Sequence, residues 1–385
     1  MLGLTNSLAS ASIHEQMYSL LLDGTGDYLD IGDSIDLGTA DFSISLWTKF
    51  ADATGTTYLI SKYQSSTYRV AIFLASDDKI QVQVEGDDNS VTNNKGAAVV
   101  TPLENSWVHI VVTCNRDGNI ALYVNGATGT YGFSTSAGSS SQDLDNTASW
   151  IIGAKNTDAD NAFTGNIDEV AIFNTELDAT NVTAIRNSGK PFDLNSDKGN
   201  YDQSSALQGY WKMFNGVFDD LANGVVHDVH DPGLGSELID DGSFDTDTAE
   251  NTTGTYWTTH TNWVITGGKA SYDADATGKD LRQLTSTIGA GRVVKVQFDI
   301  LDVESGKTAY FKLETNGEAE KITNPGGGGY ANHTAGTYIY YHRNAAAFTR
   351  LLFSAITSGT GGYFSIDNVS AKALNGYPGI AAADA

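Results

Sequence analysis

An all-β chain of two β-sandwiches, with one short helix in the first, is what this sequence predicts, on three observations. From Tyr18 onward apolar and polar residues alternate in short runs bounded by Gly, Asn and Asp, the period-2 signature of strands. Gly is plentiful at 41 and Pro scarce at 5, with Thr, Ser, Asn, Asp and Tyr filling much of the rest, a mix suited to short strands and tight turns. The 385 residues exceed one sandwich of about 100 to 200 residues and fit two.

Residues 1–16 hold Leu2, Leu4, Leu8 and Ile13 among small polar residues and have no core of their own. We expect this segment to dock the chain to a partner or to another copy of itself, with Leu2, Leu4 and Leu8 burying apolar surface there. The first sandwich is expected over 17–231. In "FSISLWTKF" (42–50) alternation puts Phe42, Ile44, Leu46 and Thr48 on one face and Ser43, Ser45, Trp47 and Lys49 on the other. Asp117-Gly118 and Asn125-Gly126 are hairpin signals, because both central positions of a type I′ turn need positive φ, so residues 106–125 are read as an antiparallel pair.

"NTELDATNVTAIRNSGKP" predicts two or three turns of helix, with Leu177, Val182 and Ile185 as the apolar stripe, Asp178 as cap, and Gly189 and Pro191 as the stop. The stretch 206–231, which begins "ALQGYWKMFNG", has too many apolar residues for a linker. It is assigned to the first sandwich as an added strand near 206–214, with an interdomain strap as the alternative. A second patterned region covers 232–375, with strands in "NWVIT", "KASYD", "RVVKVQFDIL", "TYIYYHR" and "YFSIDNVSAKAL", and residues 376–385 read as a tail. The loop "NPGGGGYANHTAG" lacks the lysine and the following helix of a phosphate cradle.

The formal charge of −25 is uneven: residues 1–231 carry 30 acidic and 11 basic side chains, residues 232–385 carry 17 and 11. A field of that sign repels phosphate backbones and anionic lipid, so neither nucleic acid nor membrane is an expected partner; it also serves solubility alone. Cys114, the single cysteine, lies in the apolar run "WVHIVVTC" and reads as a buried small hydrophobe that forms no intrachain disulfide. No leader of signal-peptide type and no apolar run near 20 residues is visible, and assembly in a cytoplasm is expected.

"YSLLLDGTGDYLDIG", "DFSISLWTKF", "SWVHIVVTCNRDGNIALYVNG" and "FTGNIDEVAIFNTELDATNVTAIRNSG" resemble, in order, the strand motifs of laminin-G-like, concanavalin-like jelly rolls over roughly residues 17 to 190. "GSELIDDGSFDTD", "ITGGKASYD" and "YFSIDNVSAKAL" are similar to the two ends of a carbohydrate-binding-module jelly roll. The pairing resembles proteins that tailed phages, marine ones especially, carry as fibres or capsid decorations. The resemblance implies a non-enzymatic virion protein, assembled in the host cytoplasm, that contacts other virion proteins and copies of itself and binds host-surface glycans. The alternative is a secreted glycan-binding module or glycoside hydrolase of the concanavalin-like superfamily.

No catalytic residue is assigned. Retaining glycosidases on this jelly roll use a Glu-x-Asp-x-x-Glu string that the chain lacks, and Asp168 and Glu169 of "NIDEV" are adjacent, which on a regular strand sends them to opposite faces. "HDVHD" (227–231) has no further ligand set at zinc spacing and is expected as a solvated turn. For glycans, which are held by aromatic faces with amides and carboxylates on the hydroxyls, the candidates are Trp257, Tyr338, Tyr340 and Tyr341. Alternation sets Tyr338 and Tyr340 on one face and Tyr341 on the other, and the same residues also suit core packing or a protein interface. Structural calcium is expected in both domains. In the second, the resemblance implies Asp245 and Asp367 as ligands, with Asp245 where the family has Glu; in the first, Asp158, Asp160 and Asp168 are the acidic candidates.

Overall fold

A computed structural model describes residues 19–52, 54–86, 95–99, 103–128, 133–136, 142–213, 219–220, 224–250, 252–273, 279–315, 320–321, 331–343, 347–355 and 361–382. Leu2, Leu4 and Leu8 lie outside the described residues. The chain forms two units: one runs to Pro232 and resumes at Gly376, the other is Gly233–Asn375.

The strands, in chain order, begin with β1 (Leu20–Asp23), β2 (Tyr28–Gly32), β3 (Phe42–Phe50), β4 (Thr57–Ser65), β5 (Tyr68–Leu74), β6 (Lys79–Glu85), β7 (Lys95–Val99), β8 (Trp107–Cys114), β9 (Asn119–Val124), β10 (Phe133–Ser136), β11 (Trp150–Ile152) and β12 (Thr164–Phe173). Helix α1 (Ala179–Arg186) comes next, then β13 (Leu207–Trp211) and β14 (Val225–Val226). The second unit holds β15 (Leu234–Glu237), β16 (Ala249–Glu250), β17 (Trp257–Thr259), β18 (Trp263–Ile265), β19 (Ala270–Tyr272), β20 (Lys279–Ile288), β21 (Val293–Leu301), β22 (Ala309–Thr315), β23 (Glu320–Lys321), β24 (Ala331–His333), β25 (Gly336–Arg343), β26 (Phe348–Ala355) and β27 (Phe364–Leu374). The last strand, β28 (Gly379–Ala382), belongs to the first unit.

In the first unit one sheet runs β1-β12-β3-β8-β9-β10, with β13 also on β12, and the other runs β14-β28-β2-β11-β4-β5-β6-β7. Their inner faces share one core: Phe42, Ile44 and Leu46 of β3 and Ile110 and Val112 of β8 cluster with Leu59, Ile72 and Val82 of the second sheet. The edge of β12 is shared, since β1 pairs with its first half and β13 with Val170–Phe173. Residues 376–385, read from the sequence as a tail, instead supply β28, which pairs Tyr28↔Ala382 and Val225↔Ile380. Cys114 is fully buried, and burial pushes its thiol up to about 12.

The other face of β3 departs from a simple alternating strand. Ser43, Ser45 and Trp47 are buried as well, because α1 and the segment after it lay a second layer over this face, a cluster of Leu177, Val182, Ile185, Leu194 and Tyr201 with Phe173 and Tyr210. Helix α1 is capped by Asp178, whose carboxylate accepts from Asn181 N at 2.8 Å, and it ends at Asn187 in the left-handed region (φ 45°), ahead of the expected Gly189. The β8–β9 pair forms as expected, but only Asn125 and Gly126 both adopt positive φ. The 115–118 turn is closed by Gly118 N donating to Asn115 O at 3.1 Å, with Asn115 Oδ1 accepting from Asp117 N, and so is not the type I′ turn that Asp117-Gly118 predicts.

The second unit is a sandwich of β16-β18-β19-β27-β21-β25, with β15 on β27, and β17-β20-β26-β22-β23, with β24 on β22. Its core gathers Trp257, Trp263, Tyr272, Phe298, Phe311, Phe353 and Phe364. Among the described residues no helix is long and apolar enough to cross a membrane.

Candidate functional site

The expected aromatic platform is largely core. Trp257 is fully buried, its ring 4.9 Å from Phe244 and its Nε1 donating to Asp241 O at 3.0 Å. Across β21 and β25 the pairs Phe298↔Tyr338 and Val296↔Tyr340 turn both tyrosines inward. Tyr338 stacks on Phe298 with ring centroids 5.8 Å apart, and the Tyr340 hydroxyl bonds His333 Nε2 at 2.6 Å. Tyr341, on the opposite face of β25, is half-buried beneath Lys295 Nζ at 5.8 Å from its ring. Strand alternation around a closed core thus removes Trp257 and Tyr340 as contact surfaces and leaves no shared platform for the four.

The same alternation exposes what lies beside Trp257. Its neighbours Tyr256 and Thr258 take the other face, and Tyr256 is 40 % exposed. Register places Thr258 opposite Arg282, Arg282 opposite Leu352, and Leu284 opposite Arg350. Arg282 and Arg350 are therefore diagonal neighbours on the outer face of β20 and β26, about 7–8 Å apart at the backbone. With Asp240, Thr253, Thr255, Thr258 and Gln283 they line a groove of about 490 Å³, within the size range of small-ligand sites.

Its walls are fixed from below. The buried Asp247 carboxylate accepts the backbone N–H groups of Thr255 (2.6 Å), Tyr256 (2.8 Å) and Trp257 (2.6 Å). A Cβ on Gly254 would lie 2.8 Å from that carboxylate, so this close approach requires glycine. Gln283 exchanges hydrogen bonds with the Asp240 backbone at 2.7 and 2.6 Å, tying the opposite wall to β20. Arg282 makes no side-chain hydrogen bond or ion pair among the described residues.

The acidic metal candidates separate. Asp367 is opposite Asp299 across β21 and β27, and burial, then Asp299, then Asp245 raise its carboxyl above the ordinary range. Asp245 and Asp367 thus share one neighbourhood, with Asp299 as a third member that the sequence reading missed. Asp299 accepts from Thr337 Oγ1 (2.6 Å) and Asn368 Nδ2 (2.8 Å). In the first unit Asp158 and Asp160 are exposed, Asp160 lying 3.8 Å from Lys155, whereas Asp168 is fully buried in β12. They form no single cluster. Among the described residues no group of three His, Cys, Asp or Glu is placed to hold a metal ion.

The Asp168–Glu169 pair itself corrects the sequence reading. A bulge between Asp168 and Ala171, with Glu169 at φ 51°, breaks the alternation, so both carboxyls turn to the outer face of the sheet. There the Tyr210 hydroxyl donates to Glu169, Ser45 Oγ bonds His109 Nε2 at 2.9 Å, and the Trp47 and His109 rings lie 4.9 Å apart. Burial raises both carboxyls, opposed by Lys212. The space beside them is about 10 Å³, at the limit for one water, so these polar groups support the packing of the layer above them and have no room for a substrate.

"HDVHD" is solvated only in its second half, where His230 and Asp231 are exposed. His227 and Asp228 are buried, and the Asp228 carboxylate accepts backbone N–H groups from Tyr210, His230 and Tyr377.

Residues 23–183 match the family of concanavalin A-like lectins and glucanases, laminin G type. The first unit carries a laminin-G-like, concanavalin-like sandwich. No curated protein matches the chain. Among solved structures it is similar to a candidate carbohydrate-binding protein from Bacteroides ovatus at 14 % identity and TM-score 0.40, covering 55 % of this chain and 55 % of that one. A Ruminococcus gnavus IT-sialidase CBM40 bound to α2,3 sialyllactose aligns at 9 % identity and TM-score 0.36, covering 46 % and 98 %. Tailspike protein 2 of Escherichia coli O157:H7 bacteriophage CAB120 aligns at 13 % and 0.36, covering 51 % and 27 %. The chain spans about half the length of the Bacteroides protein and about a quarter of the tailspike. At these values a shared ligand or role does not follow.

Proposed function

We propose that the chain is a non-enzymatic glycan-binding protein that works through the groove over β17, β20 and β26, and that it serves as a structural component of a tailed-phage virion, as capsid decoration or fibre. The observation that carries the binding reading is the exposed Tyr256 ring, on a backbone segment whose Thr255, Tyr256 and Trp257 N–H groups donate to the buried Asp247 carboxylate, beside a floor of hydroxyls, an amide and charged groups. Sugars need such a surface, an aromatic face for their C–H groups and polar atoms for their hydroxyls. The virion reading rests on the ordered motifs of the first sandwich followed by a second binding-type sandwich. In this reading residues 1–16, with Leu2, Leu4 and Leu8, dock the chain to neighbouring virion proteins or to other copies of itself.

Affinity per groove is weak and becomes effective through many copies on one particle. A glycan array probed with the multimeric protein tests binding, and release of reducing ends from a bound polysaccharide would overturn the non-enzymatic reading. Deleting residues 2–12 should leave two folded units that no longer join the particle, and undiminished incorporation refutes the docking role.

A further inference from the structure

We infer that the ligand of this groove is an anionic saccharide, a sugar bearing carboxylate or sulfate groups, gripped by Arg282 and Arg350. The inference rests on the proposed glycan-binding role of the groove and specifies its chemistry. Three observations carry it.

The first is placement. Thr258, Arg282 and Arg350 occupy one outer face of three adjacent strands, while Leu281, Leu351 and Phe353, which alternate with them, are buried in the core. Register thus brings two guanidinium-bearing side chains to diagonal positions of one face, within reach of a single small ligand. The second is context. The chain carries 47 acidic side chains against 22 basic, yet the groove lining holds two arginines and one acid, Asp240. Arg282 has no hydrogen-bond or ion-pair partner among the described residues, so its five donors remain available. The third is shape. Guanidinium forks match planar carboxylate and sulfate oxygens in pairs, which a neutral hydroxyl cannot satisfy. Thr253, Thr255 and Thr258 hydroxyls and the Asp240 carboxylate then remain for the sugar hydroxyls, with Tyr256 against one ring face.

The overall charge of −25 works against a long polyanion such as nucleic acid, which would run far past the groove. A short acidic oligosaccharide meets only the local field of the two arginines.

The test titrates the full chain by calorimetry with a galacturonate trisaccharide, a sulfated galactose trisaccharide and neutral galactotriose, at low and high salt. At least one anionic sugar should bind tenfold or more tightly than the neutral one, with the advantage shrinking as salt rises. Comparison of the two anionic arms distinguishes a carboxylate from a sulfate ligand. Arg282→Gln and Arg350→Gln should each remove most of that advantage at an unchanged melting temperature, while Tyr256→Ala weakens all three sugars. Equal binding of neutral and anionic sugars, still sensitive to Tyr256→Ala, overturns the anionic class and leaves the groove standing. Binding to no sugar, or binding insensitive to Tyr256→Ala, overturns the groove itself. Tighter binding of a single-stranded DNA octamer than of any sugar also overturns the inference.

Discussion

The Asp228 carboxylate accepts the backbone N–H of Tyr377 at 3.2 Å across 149 residues of sequence. Its other bonds come from Tyr210 N (2.9 Å) and His230 N (3.0 Å), so one buried side chain joins β13, the segment after β14 and the approach to β28. Asp228→Ala would strand three donors in a site without water access, at about 1–3 kcal/mol each. Even at the low end, about 3 kcal/mol in all, the calorimetric transition of the first unit should fall by at least about 6 °C, given about 2–4 °C per kcal/mol for a unit of this size. Asp228→Asn, which keeps one acceptor oxygen, should lose less. An unchanged transition in Asp228→Ala would remove the keystone role.

Asp168, Glu169 and Asp228 are raised chiefly by burial, Asp228 to about 6 despite the backbone donors that pull it down. Carboxyls whose folded values lie above their unfolded ones, near 4, stay protonated in the fold when the unfolded chain has ionised. Their contribution is fully present below about pH 4 and is lost as pH rises through the folded values. The first unit should therefore melt higher at pH 5 than at pH 8. Glu169→Gln, which keeps an amide opposite Tyr210, should flatten that slope. A melting temperature equal at both pH values in the parent chain contradicts this.

The strand pattern and the helix with its Asp178 cap were legible because each depends on residues close in sequence, whereas the edge of β12 that β13 joins about 40 residues later was not read. The covered face of β3 was not, since Ser43, Ser45 and Trp47 are buried by a layer about 130 residues downstream, and polar residues in alternation read as exposed. The bulge at Glu169 was equally invisible: nothing in "NIDEV" marks a positive φ at a non-glycine residue. For the groove, aromatic content drew attention to Trp257, whereas the exposed ring is one residue earlier. Knowing that "NWVIT" and "YWTTH" line one core would have fixed the parity and brought forward Tyr256 and Thr258.

That parity is testable by substitution. Trp257→Ala removes a fully buried ring in contact with Phe244 and should cost about 3–5 kcal/mol, lowering the melting temperature of the second unit sharply. Tyr256→Ala, at a side chain 40 % exposed and outside the core, should cost far less, about 1 kcal/mol or below. The reverse order of effects would mean that the faces of β17 are misassigned.

We propose, last, that calcium binds at Asp245 and Asp367, as the sequence resemblance implies, by drawing together side chains that with Asp299 are not placed around one ion position in the structure. Asp299 and Asp367 stand directly opposite each other on paired strands, an arrangement of like charges that destabilises a sheet unless it is neutralised. Asp245 adds a third negative charge that further raises the Asp367 carboxyl. If calcium draws these oxygens together, a site filled at a hundredfold its dissociation constant would add about 2.7 kcal/mol. Calcium should raise the melting temperature of the second unit in the intact chain, chelator should lower it, and Asp367→Asn should abolish the difference. The same variant decides the opposite case. If no ion binds, Asp367→Asn relieves repulsion and raises the melting temperature in chelator and in calcium alike, while the parent chain shows no response to either.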